Sequence, residues 1–178
     1  MATLVLTVIG DDRPGLVEEL AAVIDRSGGS WSQSSMAHLA SKFAGIVEVD
    51  VPDASADELA EALGRFDSSE LQVGVHRAGE AIEEAAAPES TVIIELELVG
   101  QDRPGIVHEV ARVLARAGVS IDELMTATSS APMSGETLFE ASALLTAPHG
   151  IDRAALAAAL EAVADELMVD IDLGSEIA

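Results

Sequence analysis

Hydrophobic and polar positions follow two alternating periods along the chain, and the same order of periods occurs twice. Residues Thr3 to Ile9 form a β-branched, apolar run, which predicts a central strand that ends at Gly10. Apolar residues then recur at helical spacing from Leu16 to Ile24, with acidic residues off that face. This spacing predicts an amphipathic helix that ends at Gly28-Gly29.

Two further strands are predicted after this helix. Residues Ser30 to Leu39 have mixed polarity, which is consistent with a strand at a sheet edge or at an interface. Residues Lys42 to Val51 alternate so that one face is rich in polar residues, and Pro52 closes the run. The second and third strands are therefore predicted to form a hairpin.

A second helix and a fourth strand complete the first repeat. Ser55 followed by Glu58 matches a capping box, and apolar residues at helical spacing continue the helix to Phe66. Leu71 to Val75 then alternates as a strand. Residues 79–90 carry four acidic residues, small residues and a proline, with little to bury, so we predict a linker there.

The second repeat follows the same order of elements. The predicted segments are a strand around Ile94–Leu98, a helix from Ile106 that ends at Gly118, a strand Val119–Ser129, a turn Ala131–Gly135, a strand Leu138–Thr146, a helix Leu156–Leu167 and a strand Val169–Leu173. The acidic residues that alternate in the first and last of these strands predict a sheet face that looks at water or a polar partner.

Each repeat therefore reads βαββαβ, which folds most simply into a four-stranded antiparallel sheet with both helices on one face. This is the ferredoxin-like arrangement, and the fold class is α+β. The predicted organisation is a first domain at 1–78, the linker at 79–90 and a second domain at 91–174. Domains of this size bury modest cores, so we expect the protein to associate, as a dimer or another homo-oligomer.

The two repeats share one motif almost residue for residue. Gly10-Asp11-Asp12-Arg13-Pro14-Gly15 returns as Gly100-Gln101-Asp102-Arg103-Pro104-Gly105, 90 residues later. Each copy joins the first strand to the first helix, so the unpaired N–H groups and positive dipole end of the helix face a small space above the sheet edge. Such a position binds anions readily.

The proline and glycine pairs of the motif suit this role. Pro14 and Pro104 are predicted to lie in the first helical turn, where a missing N–H costs nothing. Gly15 and Gly105 remove side-chain bulk, which would let a ligand carboxylate approach the backbone.

The charged pairs allow two readings. Asp12 and Asp102 could cap the helix or meet an ammonium group, and Arg13 and Arg103 could hold a carboxylate or pair with a surface acid. From these residues alone, a well-capped tight turn and an anion site remain equally open.

Composition narrows the function classes. The formal net charge of −23 is shared almost equally by the two halves, so neither offers the basic face that nucleic-acid binding needs; we expect no direct nucleic-acid contact. The chain has no cysteine, its four histidines lack ligand spacing, and no nucleophile motif occurs, so we predict no metal, no cofactor and no enzyme activity. With no signal peptide and no long apolar stretch, we expect a cytoplasmic protein without membrane contact.

The βαββαβ order with G-x-D-R-P-G after the first strand resembles the ACT domain, a regulatory module that commonly binds amino acids at domain interfaces. The resemblance extends to the tandem-ACT family of the glycine cleavage system transcriptional repressor. It rests on Gly28–Trp31, Met36–Ala40, Phe43–Gly45, Ala117–Ile121, Ala131–Gly135 and Leu138-Phe139. This resemblance implies a non-enzymatic regulator that binds a small amino acid, such as glycine or serine, and controls a transcriptional regulator through protein contacts.

In ACT domains the ligand typically sits between the first strand-helix turn and the start of the second strand of a neighbouring domain. The matching positions are Asp11, Asp12, Gly15, Ser30 and Trp31 in the first repeat, and Gln101, Asp102, Gly105, Ser120 and Ile121 in the second. Both repeats have serine where the family often has asparagine, and serine lacks the second donor of the amide.

Two points stay open at the level of sequence. Trp31 could be partly buried in its own domain, or it could be an aromatic plug at a domain interface. The protein could also keep the fold without a ligand, as an interaction module, or serve as a detached regulatory subunit of an amino-acid metabolic enzyme.

Overall fold

The computed structural model describes residues 1–66, 71–78, 91–130 and 135–177, without the side chains of 176 and 177. The chain divides into two compact units, Met1–Glu84 and Ala85–Ala178. The predicted linker at 79–90 lies outside the described residues, as does most of the predicted turn at 131–135.

The first unit has four strands and two α-helices in the predicted order. These are β1 (Ala2–Asp11), α1 (Leu16–Arg26), β2 (Ser30–Leu39), β3 (Lys42–Val51), a 3-10 turn (Asp53–Ser55), α2 (Ala56–Gly64) and β4 (Leu71–Arg77). The sheet is antiparallel with the order β2-β3-β1-β4. The β2 strand is thus at the edge, as predicted from its mixed polarity.

The second unit repeats this architecture. Its elements are β5 (Thr91–Gln101), α3 (Ile106–Arg116), β6 (Ser120–Ser130), β7 (Thr137–Pro148), α4 (Arg153–Leu167) and β8 (Val169–Ile177). The sheet order is β6-β7-β5-β8, again antiparallel. The prediction of two ferredoxin-like βαββαβ domains is confirmed.

Each unit has its own core between the helices and one face of the sheet. Alternate residues of the central strands are buried, as the period-2 pattern requires: Leu4, Leu6 and Val8 in β1, and Ile94, Leu96 and Leu98 in β5. The helix residues that pack on them are Leu16, Leu20, Leu59 and Leu63 in the first unit, and Ile106, Val110, Leu156 and Leu160 in the second. The residues between the buried strand positions lie on the opposite, open face of each sheet.

The core of the second unit borders an apolar crevice. Ile121 and Ala143 occupy the register positions that Trp31 and Val47 hold in the first unit. Both replacements are smaller, and an apolar crevice of about 30 Å³ lies beside them under α3. The smaller side chains of Ile121 and Ala143 account for this crevice.

The start of α2 differs from the sequence prediction, and the start of α4 has a side-chain cap that was not predicted. Ser55 occupies the N-cap position of α2, but its backbone is already helical (φ −100°, ψ −6°) and its side chain makes no capping bond, so the predicted capping box is wrong. The 3-10 turn before α2 brings the chain into the helix without a side-chain cap. In α4, by contrast, Asp152 accepts a hydrogen bond from the Ala155 amide at 2.9 Å.

The helices are short in the part of the chain that the structure describes. The longest, α4, has 15 residues, and none of the described helices has the length and apolar character needed to cross a membrane.

Candidate functional site

Both repeated turns adopt a single backbone geometry. Gly15 has φ 95° and ψ −7°, and Gly105 has φ 100° and ψ −10°; each is the N-cap of the following helix. These angles match the third position of a type II turn, where proline is favoured just before and glycine is required. Pro14 and Pro104 therefore lie in the turn that precedes the helix, and their predicted place in the first helical turn is wrong.

Neither helix start receives a side-chain cap. The reading of Asp12 and Asp102 as capping residues is therefore wrong, because a glycine in left-handed geometry occupies the N-cap in both units. The first N–H groups of α1 and α3 consequently have no hydrogen-bond partner among the described residues. A Cβ added at Gly15 or Gly105 would meet no heavy atom of the chain within 4 Å, so this space is accessible to a ligand.

The end of β1 is tied to the hairpin between β2 and β3. The amide of Asp12 donates to the Ser41 carbonyl at 3.2 Å, and the Lys42 ammonium donates to Asp11. His38 Nε2 lies 3.7 Å from Asp12 Oδ2. In the second unit the Asp102 amide donates to the Thr137 carbonyl at 2.9 Å, so the backbone anchor is repeated.

The hairpin that anchors the first turn is itself strained. Its two loop residues, Ala40 and Ser41, both have positive φ, 49° and 63°. A two-residue loop with this geometry is a type I′ turn, which favours Asn-Gly because a Cβ is costly there. The first repeated turn is thus held against a loop whose residues do not suit its backbone.

Arg13 is engaged with a carboxylate of its own domain. Its Nη1 and Nη2 donate to Glu19 Oε1 and Oε2 at 2.7 and 2.8 Å, a bidentate pair between the turn and α1. The hydrogen bond from Arg13, aided by its charge, lowers the pKa of the Glu19 carboxyl below its usual value. Of the two readings of Arg13, pairing with a surface acid is the one that the structure shows.

The second unit is arranged differently at this point. Arg103 Nη2 donates to the neutral Gln101 Oε1 at 3.2 Å. Glu109, which corresponds to Glu19, instead accepts a hydrogen bond from Arg112. The two turns therefore share a backbone but differ in how strongly their arginines are held.

The predicted residues at the second strand do not meet the turn within a unit. Asp11 pairs with Lys42, which pairs with Leu39, whereas Ser30 pairs with Asp50 near the start of β1. Eight positions along a strand separate the two ends, which is roughly 26 Å. Ser120 and Ile121 are likewise at the far end of β6, opposite Thr146 and Leu145. Each unit thus carries two separate halves of the predicted site.

Trp31 is half-buried and packs against the core of the first unit. The next residue is a β-bulge: Ser32 is unpaired in the ladder, and its hydroxyl donates to Asp50 at 2.6 Å. Thr3 donates to the same carboxylate at 2.7 Å. These two hydrogen bonds, with that from Ser32 the larger cause, lower the pKa of Asp50. The bulge recurs at Asp122, which accepts from Thr146.

The described residues contain no group of three or more His, Asp or Glu side chains arranged to hold a metal ion. The four histidines lie at separate places, and those with a charged neighbour, His38 and His108, each lie near one carboxylate.

Family models of the ACT domain match the chain twice, at residues 2–77 and 94–165. The chain belongs to the ACT-domain family. ACT domains bind small amino acids in regulatory proteins, and the two repeated turns occupy the same place in both ACT domains. The candidate site is therefore a pair of ACT-domain turns.

Two solved structures align with this chain over almost its whole length. An unknown protein from Galdieria sulphuraria is 31% identical with a TM-score of 0.81, and 99% of each chain is covered. A provisionally assigned glycine cleavage system transcriptional repressor is 16% identical with a TM-score of 0.69, covering 99% of this chain and 97% of that one. At this identity the likeness shows the fold. A search of the curated proteins found no match.

Sequence reasoning missed the contacts that distinguish the two ACT domains. Glu19 and Glu109 each lie six residues after the arginine of the motif, so the spacing is the same in both repeats. The available signal was Arg112, which stands where the first repeat has Ala22 and competes for Glu109.

Proposed function

We propose that this protein is a non-enzymatic regulator that binds a small amino acid at its ACT-domain turns and controls a partner protein, such as a transcriptional regulator, by direct contact. The observation that carries the proposal is the pair of uncapped helix starts with matching glycine geometry. Both copies of the repeated motif keep helix starts without a side-chain cap and the same left-handed glycine.

The chemistry of the turn fits both ends of an amino acid. The uncapped amides and the helix dipole favour the carboxylate. The exposed carboxylates of Asp12 and Asp102 suit the ammonium group, because neither is tied by a hydrogen bond to a cationic side chain in the described part of the chain. A small ligand such as glycine or serine makes both contacts without needing a deep pocket.

The second turn is the stronger candidate for the carboxylate. Arg103 would exchange a bond to a neutral amide for one to a carboxylate, whereas Arg13 would have to leave the bidentate pair with Glu19. Charge-assisted hydrogen bonds are roughly twice as strong as neutral ones, so the exchange by Arg103 gains more free energy than the exchange by Arg13. We therefore expect the second ACT domain to bind the amino acid more tightly.

A complete site requires the strand start of another ACT domain, because Ser30 and Ser120 lie at the far ends of their own sheets. We propose that a second chain supplies this half in a homo-oligomer. Serine at this position offers one hydroxyl to the ligand. The expected consequence is that the amino acid strengthens oligomerisation, because it bridges two domains.

Calorimetric titration of the protein with the common amino acids, glycine and serine first, tests the sensor. The variants Asp12→Ala and Asp102→Ala are expected to lose binding, with the larger loss at Asp102. Asp25→Ala and Asp165→Ala remove exposed carboxylates from helix surfaces and serve as charge-matched controls.

If none of the amino acids binds at millimolar concentration, the proposed amino-acid sensing is contradicted, and an interaction module without a ligand is favoured. Equal losses in the control variants would show that net charge, and not the turn, governs binding. Co-purification with a biosynthetic enzyme in place of a transcriptional regulator would favour a detached regulatory subunit.

A further inference from the structure

The open face of the second sheet forms a concave trough of about 650 Å³ across all four strands. Its acidic residues are Glu140 on β7, Glu97 on β5, and Asp170 and Asp172 on β8; Val99 and Met125 are its exposed apolar residues. None of the residues that line this acidic trough is basic.

The strand registers arrange these groups in two rows. One row runs from Glu140 across Val99 to Asp170, and the other places Glu97 directly opposite Asp172. Like charges directly opposite in an antiparallel pair are destabilising. Among the described residues, Ser129 donates to Glu140 at 2.9 Å, and no side chain bonds to the other three acids.

The first ACT domain shows that the fold does not require this charge. The register places four neutral residues of that domain at the positions of the trough acids. These are Thr7, Ala44, Gln72 and Gly74, which correspond to Glu97, Glu140, Asp170 and Asp172. The self-repelling acids are therefore a property of the second domain alone, present at a cost in stability.

We propose that the acidic trough is a docking surface for a basic amphipathic helix of a partner protein. This inference rests on the protein-contact part of the proposed function and names the surface that makes the contact. Four strands span roughly 14 Å, enough to seat one helix with a diameter of about 10–12 Å.

The distribution of side chains favours this occupant. Met125 lies on the β6 side of the trough and is 70% exposed, while three of the four acids lie on β5 and β8 at the other side. A helix would therefore place its apolar stripe towards β6 and most of its Lys or Arg residues towards β8. Nucleic acid and anionic lipid would be repelled by the same carboxylates. A second acidic chain is disfavoured for the same reason.

The test uses the full-length chain and a fluorescein-labelled 18-residue peptide with leucines at i, i+3, i+4 and i+7 and arginines on the other face. Fluorescence anisotropy measures its affinity for the wild type and for the triple variant Glu97→Gln, Asp170→Asn, Asp172→Asn. The control is a triple variant with the same charge change on the exposed face of α4, at Glu161, Asp165 and Glu166.

We expect the trough variant to bind the peptide about tenfold more weakly, and the α4 variant to change affinity less than about threefold. A scrambled peptide of the same composition, which lacks the leucine stripe, is expected to bind more weakly than the striped one. The trough variant is also expected to melt at a higher temperature, since it removes facing like charges; this measurement confirms that it folds.

The proposal is overturned by any of three results: no peptide binding by the wild type, equal losses in both triple variants, or equal affinity for the striped and scrambled peptides. Glycine calorimetry on the same three proteins separates the two proposals. Loss of glycine binding everywhere with retained peptide binding removes the sensor alone, and the reverse removes the docking surface alone.

Discussion

Replacing Gly15 with alanine separates the conformational role of this residue from its role at the ligand turn. At φ 95° an L-residue is strained, but the added Cβ meets no atom of the chain within 4 Å, so the cost is conformational alone. A left-handed backbone costs an L-residue about 1–2 kcal/mol. For a domain of this size we expect a melting temperature lower by about 4–15 °C.

Gly28→Ala is the matched control. Gly28 also has positive φ, 69°, and open space for a Cβ, but it lies after α1, at the end of the helix remote from the turn. Both variants should lose stability, because both force an L-residue into the left-handed region. Only Gly15→Ala should also place a methyl group where the ligand carboxylate approaches the amides of α1.

The assay is thermal melting with and without the amino acid identified by calorimetry. A ligand at 100 times its Kd stabilises the domain that binds it by about 2.7 kcal/mol. Gly28→Ala should retain this gain, and Gly15→Ala should lose it. The second ACT domain offers the same pair in Gly105 and Gly118, with φ 100° and 71°. A full ligand-dependent shift in both Gly15→Ala and Gly105→Ala would refute the placement of the site.

Three further predictions concern stability. Val47→Ala is expected to cost about 2–3 kcal/mol. Ala143→Val adds two carbon atoms, of which the crevice of about 30 Å³ accepts roughly one, so the gain should be no more than about 0.8 kcal/mol. Chemical denaturation measures both, and a loss of stability in Ala143→Val would contradict the crevice. The double variant Ala40→Asn, Ser41→Gly should stabilise the first domain by about 1 kcal/mol in the same assay, and no gain would argue against strain in the hairpin. Glu19→Gln should lower the melting temperature above pH 4.5 and less as the pH falls, because the lowered pKa of Glu19 gives stability that is lost when the carboxyl is protonated; a difference that grows at acid pH would contradict the pair with Arg13.

Local sequence signals determined the order of the elements and some of their boundaries. The strands β2 and β3 occupy the predicted residues, because Gly28-Gly29 ends the preceding helix and Pro52 ends β3. The strands β5 and β8 are longer than predicted, at Thr91–Gln101 and Val169–Ile177. Their extra residues are held by ladder hydrogen bonds to neighbouring strands, which a single-strand pattern does not contain.

The repeated turn was recognisable in the sequence, but its geometry was not. The repeated motif identified the turn, since glycine and proline carry strong backbone preferences. The left-handed N-cap at Gly15, which excludes Asp12 as a cap, depends on how β1 meets α1 in the folded domain. The choice of Arg13 for Glu19, and of Arg112 for Glu109, depends on side-chain reach and competition across a turn of helix.

The sequence by itself determined the duplication, the ferredoxin-like order of elements and the polar face of the second sheet, because each is encoded in periodicity and in local turn chemistry. Only the tertiary structure decided that β5 lies beside β8, so that Glu97 faces Asp172, and that the turn and Ser30 lie at opposite ends of a sheet. These relations come from strand order and register, which join residues far apart in the chain and leave no trace in either segment alone.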